Sequence, residues 1–179
     1  MANSHARGSG FEARRACLRL ASLALLGLGL LAPRVSRSDE PCPDVGARIV
    51  VDVQARTLRL CGYGRPIAHF AVALGHGGLD KRQQGDRKTP LGTYELGVPR
   101  PSARFGMFIP VAYPTADQRR QGYTGGDVGI HGPHRRTAWA GEANTWSDWT
   151  DGCIALGSDE ELTEVVSFVR AHRPALLVR

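Results

Sequence analysis

A chain of 179 residues with 42% hydrophobic content fits one domain of ordinary size with a real core. Its 22 glycines and 11 prolines against 7% aromatics favour a turn-rich, strand-rich fold over a helical bundle. The net charge of +6 does not point to nucleic acid: six arginines against one glutamate put +5 of it in residues 1–38 and leave no basic stripe beyond.

Residues 1–38 read as an export signal. Arg14, Arg15 and Arg19 precede LASLALLGLGLLA, thirteen uncharged residues from Leu20 to Ala32. Pro33 ends the run, and Ser36-Arg37-Ser38 offers small residues to a signal peptidase. Thirteen residues fall short of the roughly 20 that a membrane helix needs, so no span is expected in the mature form. An uncleaved anchor is the other reading. Both place the following domain outside the cytoplasm, in a periplasm or cell wall. Residues 39–46 form a short N-terminal segment, and 47–179 the domain itself.

Residues 47–53 (ARIVVDV) are apolar and rich in β-branched side chains, a strand. Gln54-Ala55-Arg56 is a tight connection, and 57–61 (TLRLC) the partner strand of a hairpin. After the turn GYGRP, 67–74 (IAHFAVAL) alternates as a third strand, with His69 on one of its faces. The glycine-studded stretch 75–92 is a surface loop containing His76. Strands are expected again at 93–98, at 105–113 and at 128–131, the last ending on His131. Residues 132–149 are irregular and hold Trp139, Trp146 and Trp149, which either pack the loop down or form a substrate wall. Ser158 caps the one clear helix, with Glu161 three residues on and Leu162, Val165, Val166 and Val169 on its apolar face. It ends near His172, and 175–178 is a closing strand. The expectation is a mostly β domain with one main helix near the C-terminus.

Beyond residue 38 the cysteines are Cys42, Cys61 and Cys153. An odd number in an oxidising compartment leaves one thiol over. A Cys42–Cys61 bridge would tie the N-terminal segment to the first hairpin and leave Cys153 free. Cys153 then reads either as a small buried residue or as a nucleophile. A thiol attacks a carbonyl only as thiolate, and an adjacent imidazole is the usual activator. Ile130-His131-Gly132 and Asp151-Gly152-Cys153 supply a histidine at a strand end and a cysteine in a tight turn. A metal set drawn from His131, His134, Asp151 and Cys153 lacks the paired spacing of a zinc site, so no metal is expected.

Three stretches carry a resemblance: I-H-G at 130–132 followed by W-T-D-G-C-I-A-L at 149–156, GDRKTPLGTY at 85–94, and the opening ARIVVDVQARTLRL. Together, in this order, they resemble the L,D-transpeptidase (YkuD-like) catalytic domain family, whose pattern is His-Gly followed by Ser/Thr-x-Gly-Cys. The resemblance implies a β-sandwich-like catalytic domain with its cysteine in a groove. It implies Cys153 as nucleophile and His131 as general base. Gly152, with the Cys153 amide, would bind the oxyanion, and Thr150 would shape the turn and orient the histidine. Asp151, Gly132 and Trp149 would lie against the substrate. That substrate would be a peptidoglycan stem peptide, with no cofactor. Two features depart from the pattern. Ala155 stands where most members have arginine, with Arg135 and Arg136 as nearby replacements. The His-to-Cys stretch is longer than in many members, and its W-T-D-G-C-I-A form resembles a subgroup whose enzymes release crosslinks as well as make them. Three functions follow: an acyl-transferase that crosslinks or attaches wall components, a carboxypeptidase- or endopeptidase-type hydrolase using the same cysteine, and a peptidoglycan-binding domain without catalysis.

Overall fold

The computed structural model describes residues 42–44 and 46–179. The expected export signal at 1–38 and most of the segment 39–46 lie outside them. Nine strands run in chain order as β1 (Ala47–Asp52), β2 (Thr57–Gly62), β3 (Arg65–Ala73), β4 (Gly92–Tyr94), β5 (Arg100–Ser102), β6 (Gly106–Pro110), β7 (Gly129–His131), β8 (Ile154–Leu156) and β9 (Ala175–Val178). Helix α1 (Ala116–Arg120) precedes β7, and α2 (Asp159–His172) lies between β8 and β9. The sheet order is β4-β9-β1-β2-β3-β8-β7-β6-β5. The domain is thus mostly β, with one main helix near the C-terminus.

The β1–β2 hairpin closes because Asp52, itself buried, accepts the amides of Gln54 and Ala55 at 3.0 and 2.8 Å, a side chain mimicking a turn. β1 is apolar on both faces across Ile49, Val50 and Val51 because both faces are covered there. Ile49 and Val51 join the main core; Val50 faces the other way, against the bridged pair Cys42–Cys61. The disulfide therefore plugs the outer face of the first hairpin.

Ser158 caps α2 in a full capping box with Glu161, and Leu162, Val165, Val166, Phe168 and Val169 are buried. The helix packs on β6 and β8, which carry the site's surroundings. At about 1.5–3 kcal/mol per buried aliphatic side chain, this face anchors the chain that follows β8. No helix among the described residues is long and apolar enough to cross a membrane.

Several elements differ from the sequence expectation. The strand expected at 93–98 shrinks to Gly92–Tyr94, and Leu96 only bridges to Val111. The strand expected at 105–113 covers Gly106–Pro110, because Phe105 belongs to the turn of a β5–β6 hairpin. β5, β8 and α1 were not expected. Each is five residues or fewer, too short for periodicity to register. The irregular stretch contains a 3-10 helix, Ala138–Thr145, kinked at Gly141.

Candidate active site

The sheet brings His131 and Cys153 together. β7 and β8 are parallel, with His131 opposite Ala155 and Ile130 opposite Ile154. Cys153 immediately precedes β8, so the turn delivers it beside the end of β7, while Ile130 and Ile154 enter the core. Both side chains line one open groove of about 1080 Å³.

The turn that carries Cys153 is built from the loop that precedes it. Thr150 is paired into the sheet as an extension of β3: its amide donates to the Leu74 carbonyl at 3.1 Å, and its carbonyl accepts from His76 at 2.9 Å. The Thr150 hydroxyl accepts from the Gly152 amide at 3.1 Å and donates to the Cys153 carbonyl at 2.7 Å, closing the turn from inside. Gly152 has φ of 122°, and a side-chain carbon there would stand 2.5 Å from the Lys88 carbonyl oxygen. Both conformation and space require glycine. With its amide committed to Thr150, Gly152 does not point that donor into the groove in this state.

Residues 85–94 buttress the same turn. Thr89 is fully buried, and its hydroxyl accepts the Gly75 amide at 2.8 Å. A Cβ on Gly75 would meet the Arg87 carbonyl oxygen at 2.4 Å and the Gly152 Cα at 3.0 Å, so three backbone segments converge there. The loop is tied by Asp86. Burial alone would raise its pKa, but the Gln83, Arg82 and Lys88 amides and the Lys81 ammonium, 2.6 Å away, hold the carboxyl well below the usual range.

His131 is oriented by its own neighbour. Its Nδ1 is 2.7 Å from the Gly132 carbonyl oxygen. A carbonyl oxygen only accepts, so Nδ1 carries the hydrogen and Nε2 carries the lone pair. The Thr150 hydroxyl is occupied with the turn, and the ring takes its direction from Gly132. Space at Gly132 is short: a Cβ would lie 3.1 Å from Leu162 and 3.2 Å from the Phe105 carbonyl oxygen. Phe105 stacks on the imidazole with centroids 3.9 Å apart and planes 17° apart, and Phe108 lies 6.2 Å away on a similar plane. Neither phenylalanine was singled out from the sequence. Phe105 was read as one more residue of a strand, and only the hairpin turn carries it over the histidine.

Burial pushes the Cys153 thiol up to about 11. The Asp151 and Asp127 carboxylates add to the rise, while the Gly129 amide, which hydrogen-bonds the sulfur, and Lys81 oppose it. The thiol itself donates to the Asp127 carbonyl oxygen, 3.6 Å away. Burial also lowers His131 to about 4, helped by Arg104 and opposed by the Gly132 carbonyl. Between about pH 5 and 10 the resting pair is therefore a neutral thiol beside a neutral imidazole. Iodoacetamide alkylation of Cys153, followed by mass spectrometry, should rise about tenfold per pH unit from pH 7 to 10 without a plateau. A plateau reached already near pH 6 would instead reveal a preformed thiolate–imidazolium pair.

Of the other residues expected here, Trp149 forms a groove wall. Its indole donates to the Asn144 carbonyl at 2.8 Å, and its ring is 5.7 Å from that of His131. Trp139 and Trp146 are 86% and 77% exposed. Asp151 sits on the rim, with its carboxylate 3.9 Å from both His76 and Arg87. Ala155 is fully buried in a row formed by Phe108, His131, Ala155 and Ala73 across four strands. The replacements suggested for an arginine there do not reach the groove. Arg135 is locked in a two-pronged pair with Asp159 at 2.6 and 3.0 Å, and Arg136 is not among the lining residues. The groove's arginines are instead Arg87, Arg100 and Arg104. Among the described residues no group of three or more His, Cys, Asp or Glu side chains could hold a metal ion.

Residues 46–176 match the family model of the YkuD L,D-transpeptidase catalytic domain. The helical cell shape determining protein Pgp2 from Campylobacter jejuni is similar in structure, with 26% identity, a TM-score of 0.63, and coverage of 75% of this chain and 47% of that one. An L,D-transpeptidase from Mycobacterium smegmatis shares the fold at 15% identity and a TM-score of 0.53, covering 74% and 58%. Bd1075 from Bdellovibrio bacteriovorus does so at 18% and 0.55, covering 74% and 47%. The chain thus spans about half the length of the solved structures it matches. No curated protein matches the sequence.

Proposed function

The chain belongs to the L,D-transpeptidase catalytic domain family, and from that premise we propose that it is an exported cysteine acyl-transferase acting on peptidoglycan stem peptides. The observation that carries this reading is that His131, at the end of β7, and Cys153, in the turn that leads into the parallel strand β8, line one groove. The hydrogen bond from Nδ1 to Gly132 supports the base role of Nε2.

His131 Nε2 takes the thiol proton as Sγ attacks the carbonyl at the L-centre of the third stem residue. With the acid near 11 and the conjugate acid of the base near 4, a free thiolate is too costly to accumulate, so proton transfer accompanies attack. The oxyanion forms beside the turn, where the Cys153 amide is the candidate donor; the Gly152 amide could join only by leaving Thr150. The imidazolium then returns its proton to the departing amine of the terminal D-residue, the C–N bond breaks, and a thioester remains on Cys153. The amine of a second stem resolves it, crosslinking two stems and restoring the thiol.

Hydrolysis is the second reading, favoured by the openness of the groove and its polar lining, which let water approach the thioester. Purified protein incubated with peptidoglycan fragments should yield crosslinked dimers by mass. Stems shortened by one residue would assign hydrolysis instead, and unchanged fragments would leave binding alone. The apolar run 20–32 and the Cys42–Cys61 bridge support placement in an oxidising compartment, a periplasm or cell wall.

A further inference from the structure

One cation of the groove is buried. Lys81 is only 4% exposed, yet it lines the groove together with Cys153 and His131. Its backbone is pinned on both sides. The amide donates to the Thr89 carbonyl at 3.3 Å, and the carbonyl accepts the Tyr113 hydroxyl at 2.9 Å. The ammonium is held as firmly: it donates to Asp86 at 2.6 Å and to the Gln83 carbonyl at 3.0 Å. Asp86 is itself fixed by the amides of Arg82, Gln83 and Lys88.

An ammonium has three N–H donors, and buried donors are nearly always satisfied. Among the described residues Lys81 has acceptors for two of them. The third is left for whatever enters the groove. The lysine stem runs past the turn that carries Cys153: its Cδ is 3.8 Å from where a side-chain carbon on Gly152 would stand. Its charge is felt at the sulfur, where it opposes the carboxylates of Asp127 and Asp151.

Acyl transfer calls for a donor at this place. Thiol and imidazole are both neutral at rest, so negative charge first appears on the carbonyl oxygen under attack. The Gly152 amide is taken by the Thr150 hydroxyl, which leaves the Cys153 amide. The two carboxylates nearby disfavour an anion there. A cation fixed in advance favours the transition state over the ground state, because the charge it meets exists only in the former.

We propose that Lys81 is a further catalytic residue, which donates its third N–H to the oxyanion and completes, with the Cys153 amide, a hole that the Gly152 amide does not fill. As Sγ bonds to the carbonyl carbon, the C–O π pair moves onto the oxygen and the thiol proton passes to His131 Nε2. Lys81 keeps its own proton and supplies a hydrogen bond alone. When the leaving group departs, the pair returns to the carbonyl and that bond weakens. This role rests on Cys153 being the nucleophile.

Acylation and alkylation of the same thiol separate this role from a structural one. Iodoacetamide loses iodide to the sulfur and forms no oxyanion, whereas a carbapenem-type β-lactam and the neutral ester 4-nitrophenyl acetate both do. Lys81→Met should slow acylation of Cys153 by either reagent about 10²-fold, the scale of one lost oxyanion donor. Alkylation at the same pH should change at least about tenfold less. Lys81→Met combined with Asp86→Asn, which strands no carboxylate without its ammonium, is read by the same ratio if the single variant does not fold. Equal slowing of acylation and alkylation, or acylation that does not slow, would overturn the proposal. Slowing confined to the β-lactam, which bears a carboxylate that the ester lacks, would overturn it too and make Lys81 a carboxylate binder. A wild type alkylated by iodoacetamide but acylated by neither reagent would instead sink the nucleophile role of Cys153, and this one with it.

Discussion

Cys153→Ala will form no covalent adduct with a carbapenem-type β-lactam, whereas the wild type gains the mass of one opened β-lactam. The reagent acylates whichever group does the chemistry, and the only free thiol among the described residues is Cys153. Cys42 and Cys61 are bridged and buried, so neither can substitute. The substitution removes one sulfur from a half-buried position and leaves the turn's own bonds, from Thr150 to the Gly152 amide and the Cys153 carbonyl, untouched. The variant should therefore fold, which circular dichroism can verify. A wild type that stays unlabelled by every such reagent, or a variant that still labels, would remove Cys153 from the mechanism.

His131→Ala should slow that acylation by about 10²–10⁴-fold, the usual contribution of a positioned general base. The high pKa of the thiol puts the magnitude toward the upper end, because without a base only the small thiolate fraction can react. The loss should shrink as pH rises toward 11, where Cys153 ionises unaided. A purely structural loss would not recover in that way. His131 is buried against Phe105, so the truncation also leaves a cavity, and His131→Gln, which refills most of it, is the matched control. An acylation rate indifferent to either change would end the assignment of His131 as base.

Much of the fold was legible. The first hairpin, α2 with its Ser158 cap and the closing strand were marked by local signals: β-branched runs, a capping box, a repeat of apolar residues. Where the signal was three residues long, as in β8, or where a strand and a turn share one apolar run, as at Phe105, periodicity had nothing to count. The site divides in the same way. Gly132, Gly152 and Cys153 were visible because they fall in the contiguous His-Gly and Thr-x-Gly-Cys stretches that resemble the family's motifs. The stretch 85–94 that holds Lys88 and Thr89 was visible as part of the resemblance, but its role as a support of the turn at Cys153 was not, since it meets Gly75 and Gly152 only in the fold.

By itself the sequence determined the composition of the site, namely a histidine at a strand end, a cysteine after a glycine and the family pattern that links them. The resemblance to the family's motifs carries that much, where spacing alone does not. Only the tertiary structure decided the rest. It pairs β7 with β8 so that residues 22 apart in the chain line one groove. It also buries the imidazole beneath Phe105 and puts Arg87, Arg100 and Arg104, rather than Arg135, along the groove. These depend on burial, register and which charges are already neutralised, quantities that exist only once distant segments have packed.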